Sequence, residues 1–228
     1  DPSNESANLT LASALAGQHD FAGALELADG VLKRTPTSVN ARIAAGDAHL
    51  ELGDYAIAAQ VFAELGDEFP GVPSILSREA RIAALTGRLT EAIDLARDAL
   101  VAAGEDDLES FTAAFYWFPL ANYQYQAGRY DDAASTLDAA LEVEPDHIGS
   151  IELLGKVLSA AGKYDDATRL YENLLERTDA ADLRGELSKL YAAAGRFDES
   201  EQQVRLGLDI ARRQAVRFAA ERRHLIGF

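Results

Sequence analysis

One pattern of small, polar and apolar positions recurs along the whole chain. A glycine is followed by a polar residue, then by an aromatic residue or leucine, then after two more residues by a small one. Gly53-Asp54-Tyr55 with Ala58, Gly87-Arg88-Leu89 with Ala92 and Gly128-Arg129-Tyr130 with Ala133 follow it. So do Gly162-Lys163-Tyr164 with Ala167 and Gly195-Arg196-Phe197 with Ser200, while a first copy, His19-Asp20-Phe21 with Ala24, has lost its glycine. The copies start 34, 34, 41, 34 and 33 residues apart. This period predicts units built of two helices around a turn. The glycine supplies the positive φ that ends the first helix. The acids that follow, such as Asp131-Asp132, Asp165-Asp166 and Asp198-Glu199, open the second helix, where its dipole favours negative charge. Recurring at one repeat position, they need no metal to explain them.

With the turn glycine numbered 15 in each unit, position 8 is small: Ala12, Gly46, Ala80, Ala121, Gly155 and Ser188. Position 20 is small as well: Ala24, Ala58, Ala92, Ala133, Ala167 and Ser200. Position 32 is proline in Pro36, Pro70 and Pro145, but Gly104 and Asp179 in the third and fifth units. Together these features resemble the tetratricopeptide repeat, over nearly the whole chain. The resemblance implies an all-α, right-handed superhelical solenoid of antiparallel helix pairs whose first helices line a concave face. The units are expected at about 5–38, 39–72, 73–106, 114–147, 148–180 and 181–214, within a single solenoid over 1–228.

Two segments break the period. A seven-residue insertion at 107–113 precedes the fourth unit, within Gly104 to Phe111. It favours a first helix extended backwards, with Pro119 inside it and kinking it; the alternative starts the helix near Pro119, which suits a first turn. The last segment, Arg205 to Phe228, holds six arginines against two acids, and Leu208, Ala211, Ala215, Phe218 and Leu225 fall near helical spacing. Residues 215–228 are expected to be a capping helix or the first helix of a truncated seventh unit; a basic helix for an anionic membrane or partner is the other reading.

Composition narrows the chemistry. There is no cysteine among the 228 residues, which excludes disulfides, thiolate catalysis and cysteine-bound metals. The formal net charge of −17 repels phosphate backbones, so no nucleic-acid partner is expected. No apolar run is long enough to span a membrane and no signal segment opens the chain. It begins with Asp1 and lacks methionine, as expected of a processed or excised form; the compartment stays open between exported and cytoplasmic.

No active site emerges. His19, His49, His147 and His224 have no metal-ligand spacing, and no serine sits in a nucleophile elbow. His49, at a core position, is expected as a packed imidazole. Gly155-Lys156 lacks the earlier glycine and the following Ser or Thr of a phosphate loop. The sequons at Asn4 and Asn8 are low-specificity matches. No cofactor or metal is therefore expected, and the chain is read as a non-enzyme.

In the family the inner face carries function, at positions 2, 5, 9 and 12 of the first helices, which share one stripe. Position 9 reads Ser13, Asp47, Arg81, Asn122, Lys156 and Lys189. The last four form a candidate acceptor row for acidic groups or a carboxylate terminus; the competing reading pairs Arg81 with a local or neighbouring acid and Lys156 with Glu152. Ser13 and Asp47 depart from the carboxylate-clamp relatives. In the fourth unit Phe115, Phe118 and Tyr125 face the groove, whereas Trp117, Leu120, Ala121 and Tyr130 fall at core positions. The resemblance thus implies a non-enzymatic protein-protein interaction scaffold that binds a partner peptide or segment. The partner-binding residues are Arg81, Phe115, Phe118, Asn122, Tyr125, Lys156 and Lys189. Self-association through the terminal units, or a regulatory or sensory region of a larger protein, are the alternatives.

Overall fold

The computed structural model describes residues 4–104 and 110–226, and there the chain is entirely helical. The helices are α1 (Glu5–Gly17), α2 (Phe21–Leu32), α3 (Val39–Leu52), α4 (Tyr55–Glu68), α5 (Pro73–Leu85) and α6 (Leu89–Gly104). They continue as α7 (Ser110–Gln126), α8 (Tyr130–Val143), α9 (Ile148–Ala160), α10 (Tyr164–Arg177), α11 (Ala181–Ala193) and α12 (Phe197–Ile226). Consecutive helices pair antiparallel, the tetratricopeptide-like arrangement. Residues 1–123 and 124–228 form two compact units.

The turn inside each pair is one motif repeated. Gly53, Gly87, Gly128, Gly162 and Gly195 all have φ between 73° and 88°. The residue after each donates its amide five residues back: Asp54 to the His49 carbonyl, Arg129 to Gln124, Arg196 to Tyr191. This closes the last carbonyls of the first helix. His19, in the first turn, adopts the same left-handed backbone (φ 62°), and Asp20 N donates to Leu15 O at 2.9 Å as its counterparts do. The histidine therefore replaces the glycine without changing the turn.

Packing within a pair follows size. A methyl group on Gly46 would stand 2.7 Å from the Phe62 ring, and one on Gly155 would run into the Tyr171 ring. Both rings occupy position 24 and are fully buried. Where position 8 is alanine instead, position 24 is smaller: Ala12 goes with Ala28 and Ala80 with Ala96.

Packing between pairs is equally regular. Phe62 and Leu65 of α4 cluster with Ile75 and Ile82 of α5. Ile93 and Ala96 of α6 cluster with Leu120 and Tyr123 of α7, and Tyr171 and Leu174 of α10 with Leu183, Leu187 and Leu190 of α11. The second helix of one pair is thus covered by the first helix of the next.

Two features depart from the regular unit. Pro119 lies inside α7, which begins at Ser110; residues 105–109, and with them the start of the insertion, lie outside the described residues. α12 runs unbroken through residue 215, so the segment expected as a separate capping or seventh-unit helix is the distal part of α12. No glycine or proline interrupts it between Gly207 and Gly227. The side chains of Phe218, His224 and Leu225 lie outside the described residues.

Candidate functional site: a groove along the first helices

Within residues 1–123, the inward faces of α1, α3, α5 and α7 enclose a groove of about 640 Å³. The spacing of three and four that keeps side chains on one stripe puts Leu9, Ala12 and Ala16 of α1 beside Ile43, Ala44 and Ala48 of α3. These small and aliphatic residues make an apolar floor. Asn40, Asp47 and Glu51 of α3 and Arg78 and Arg81 of α5 supply polar groups, and Phe115, Pro119 and Tyr123 of α7 close one side.

The charges in the groove are already paired. Arg78 Nε donates to Asp47 Oδ1 and Nη2 to Oδ2, both at 2.8 Å. Its Nη1 donates to the Ser74 carbonyl at 2.7 Å, and the guanidinium lies 5.8 Å from the Phe62 ring centroid. Such a forked pair fixes both side chains and ties α5 to α3. Arg81 Nη2 donates to Glu51 Oε1 at 2.7 Å through a single bond, with its side chain 48 % exposed. This second arginine is the one a ligand can reach. Burial pushes the Tyr123 phenol up, partly offset by the Arg81 charge, so it stays protonated at neutral pH and can donate a hydrogen bond.

Of the residues expected to bind a partner, Arg81 and Phe115 line this groove. Phe115 is 59 % exposed, its ring meeting Tyr116 edge-on at 5.1 Å. Phe118 and Asn122 are half-buried and do not line the groove. Tyr125, Lys156 and Lys189 belong to residues 124–228. Tyr125 stacks at a tilt on Tyr130, 5.9 Å away. Lys189 donates to Glu186 at 2.8 Å, a bond that raises the pKa of its ammonium. Lys156 is exposed and has no ion-pair partner among the described residues, Glu152 included. In the fourth unit Leu120 and Ala121 are buried as the register requires, but Trp117 and Tyr130 are only half-buried, and Tyr116 and Tyr123 supply the buried aromatic rings.

Sequence reasoning missed Arg78. The available signal was an acid and a base 31 residues apart, one unit less three, as in Asp47 and Arg78 or again in Asp146 and Arg177. The histidines have structural partners: half-buried His49 contacts Asp54 at 3.1 Å, and His147 Nδ1 caps α9 by accepting from Ser150 N at 3.1 Å. Among the described residues no three His, Asp or Glu side chains gather as a metal site, and no helix is long and apolar enough to cross a membrane.

Family models described as "Tetratricopeptide repeat" match residues 9–73, 43–107 and 118–148, and a second such model matches 158–220. No curated protein matches the chain. Among solved structures, a tetratricopeptide repeat protein from Parabacteroides merdae ATCC 43184 is similar at 15% identity and TM-score 0.69, over 87% of this chain and 77% of that one. MamA is similar at 18% identity and TM-score 0.64, over 75% of this chain and 96% of its own. YrrB, described as a TPR protein with an unusual peptide-binding site, is similar at 14% identity and TM-score 0.61, over 86% and 97% of the two chains.

Proposed function

The chain belongs to the tetratricopeptide-repeat family, and on that premise we propose that it is a non-enzymatic scaffold that holds a segment of a partner protein in the groove of residues 1–123. The observation that carries this reading is the groove itself: an apolar floor bordered by polar groups that are already oriented. A large apolar side chain of the partner would sit on Ile43, Ala44 and Ala48, where it displaces water from apolar surface. Phe115 would cover it from the side. An acidic group on the same segment would compete with Glu51 for Arg81, whereas the forked Arg78–Asp47 pair stays intact. A peptide-binding site is described for YrrB, and the same use of the fold is proposed here. On residues 124–228, the exposed Lys156 offers a separate contact for a partner carboxylate.

Selection of a displayed random-peptide library on the full chain tests this. Enriched peptides should share a large apolar residue near an acid. Ala44→Trp, which fills the floor, should weaken them by at least about tenfold, or roughly 1.4 kcal/mol. Lys189→Glu, which is not among the residues lining the groove, should leave them unchanged. Peptides that bind Ala44→Trp as tightly as the original chain, with helix content preserved, would sink the groove assignment.

A further inference from the structure

The repeat register shows one place inside the chain where the standard contact between neighbouring pairs is missing. Position 28, on the second helix, is leucine in Leu32, Leu100, Leu141, Leu175 and Leu208, but glycine at Gly66 of α4. Position 7 of the first helix that follows is Ala45, Leu120, Leu154 or Leu187, but Glu79 in α5. Leu100 packs on the cluster that holds Leu120, and Leu175 on the cluster that holds Leu187. Where leucines meet there, a glycine and a glutamate meet between α4 and α5, beside a cavity of about 310 Å³. Phe69, Pro70 and Val72 of the connecting turn, with Ile75 and Leu76 of α5, give it apolar walls. Those walls are held from behind: Ile75 clusters with Phe62 and Leu65, and Leu76 packs on Ala99, Ala103 and Tyr116. The cavity shares no residue with the groove on the first helices.

Two carboxylates line this cavity, Glu79 and Asp67. Neither has an ion-pair partner among the described residues: Arg42, Arg78 and Arg88 are engaged by Glu68, Asp47 and Glu91 instead. Glu79 Oε1 lies 2.8 Å from where a methyl group on Gly66 would stand, so the carboxylate takes the space that a position-28 leucine would fill. We propose that the cavity binds an alkylammonium group, its aliphatic stem against the apolar walls and its ammonium held by Glu79, with Asp67 adding attraction. Such a group meets both demands of the site, since an apolar stem and a charged head prefer different surroundings. A neutral apolar ligand would bury Glu79 further without a counter-charge, and an anion would be repelled. A divalent ion wants six or more oxygens, which apolar walls do not supply. Burial, Asp67 and Glu91 hold the Glu79 carboxyl above the usual carboxylate range, and a lodged cation would reverse that shift. The volume, at the lower end for ligand sites, suits one such group rather than a length of backbone. A free alkylamine and the lysine side chain of another protein carry the same chemistry.

NMR titration of the full chain with n-pentylammonium chloride, at constant ionic strength, tests the proposal. The amide signals of Gly66, Gly71 and Glu79 should shift and saturate, and the Glu79 carboxyl, followed by its carbon signal, should titrate at lower pH with the amine present. Pentanol, which has the same stem without the charge, should bind at least about tenfold more weakly. Glu79→Gln, which keeps the shape of the side chain, should weaken the amine by a similar factor with helix content preserved. Gly66→Leu with Glu79→Leu, which restores the leucine pairing of the other units, should abolish saturation; if that chain fails to fold, Glu79→Gln still decides. A blocked peptide with one lysine, and its acetyl-lysine counterpart, separate the two sources. A lysine peptide that binds more tightly than n-pentylammonium, with the acetylated form inert, makes a protein side chain the occupant; a lysine peptide that fails where n-pentylammonium saturates makes it a small amine. Absence of any saturable shift at these residues, pentanol binding as tightly as the amine, or a Glu79→Gln chain that binds the amine undiminished would each overturn the proposal.

Discussion

At the scale of single residues, Glu79 is the side chain most at odds with its place. It sits at position 7 of its unit, where the neighbouring first helices carry Ala45, Leu120, Leu154 and Leu187. Its carboxylate lies against Gly66 of α4, with Oε1 2.8 Å from where a methyl group on that glycine would be. Burial raises its pKa, and the carboxylates of Asp67 and Glu91 raise it further. A carboxyl group raised by folding favours the native state in its protonated form. That contribution is fully present below the ordinary carboxylate pKa and is lost as pH rises through the higher folded value. Glu79→Gln, which cannot ionise, should therefore stabilise the protein at neutral pH. The advantage should shrink on acidification; urea melts of both chains at neutral and mildly acidic pH measure it. The residue type and position of Glu79 were legible in the sequence, but its lack of an ion-pair partner among the described residues was not, because partners come from helices whose relative depth no spacing gives. His19 is the opposite case. The periodicity placed it in a glycine's position, and the chain there takes the glycine's backbone.

At the scale of helices, the small residue at position 8 and the bulky one at position 24 behave as a matched pair. Gly155 leaves room for Tyr171, whose hydroxyl donates to the Glu152 carbonyl at 3.2 Å. Gly155→Ala should overpack the α9–α10 contact and cost about 1–3 kcal/mol. Adding Tyr171→Leu, which removes the ring that the new methyl group would meet, should recover part of that loss, making the two changes non-additive. Thermal melts of the two single variants and the double variant measure the coupling; strict additivity would refute the matched-pair account. The elements themselves were readable because each turn must meet a local backbone requirement, and local requirements leave marks in sequence. What was not readable depended on distance between helices. The Arg78–Asp47 fork joins α5 to α3 across a contact that no single-helix pattern encodes. The groove appears on α1, α3, α5 and α7, whereas the row of cations pointed towards later units. Of that row, Arg81 and Lys189 are held by Glu51 and Glu186.

At the scale of the whole molecule, charge sets a competition that salt resolves. Thirty-eight acids face 21 lysines and arginines, so pairing every base would still leave 17 acids uncompensated. Each ion pair between described residues has at least one partner 40% or more exposed. Pairs of that kind contribute little individually, about 0–1 kcal/mol. Screening therefore costs the folded state little in lost attraction and relieves a larger self-repulsion, as the screening length falls to about 10 Å at 0.1 M salt. Raising salt from low to physiological levels should increase Tm by roughly 2–4 °C, equivalent to about 1 kcal/mol for a chain of this size. Association would also raise Tm by mass action. Thermal melts of the chain over a salt series, at one protein concentration, measure the increase. A Tm that falls with salt would mean that the ion pairs, led by the Arg78–Asp47 fork, outweigh the uncompensated acids.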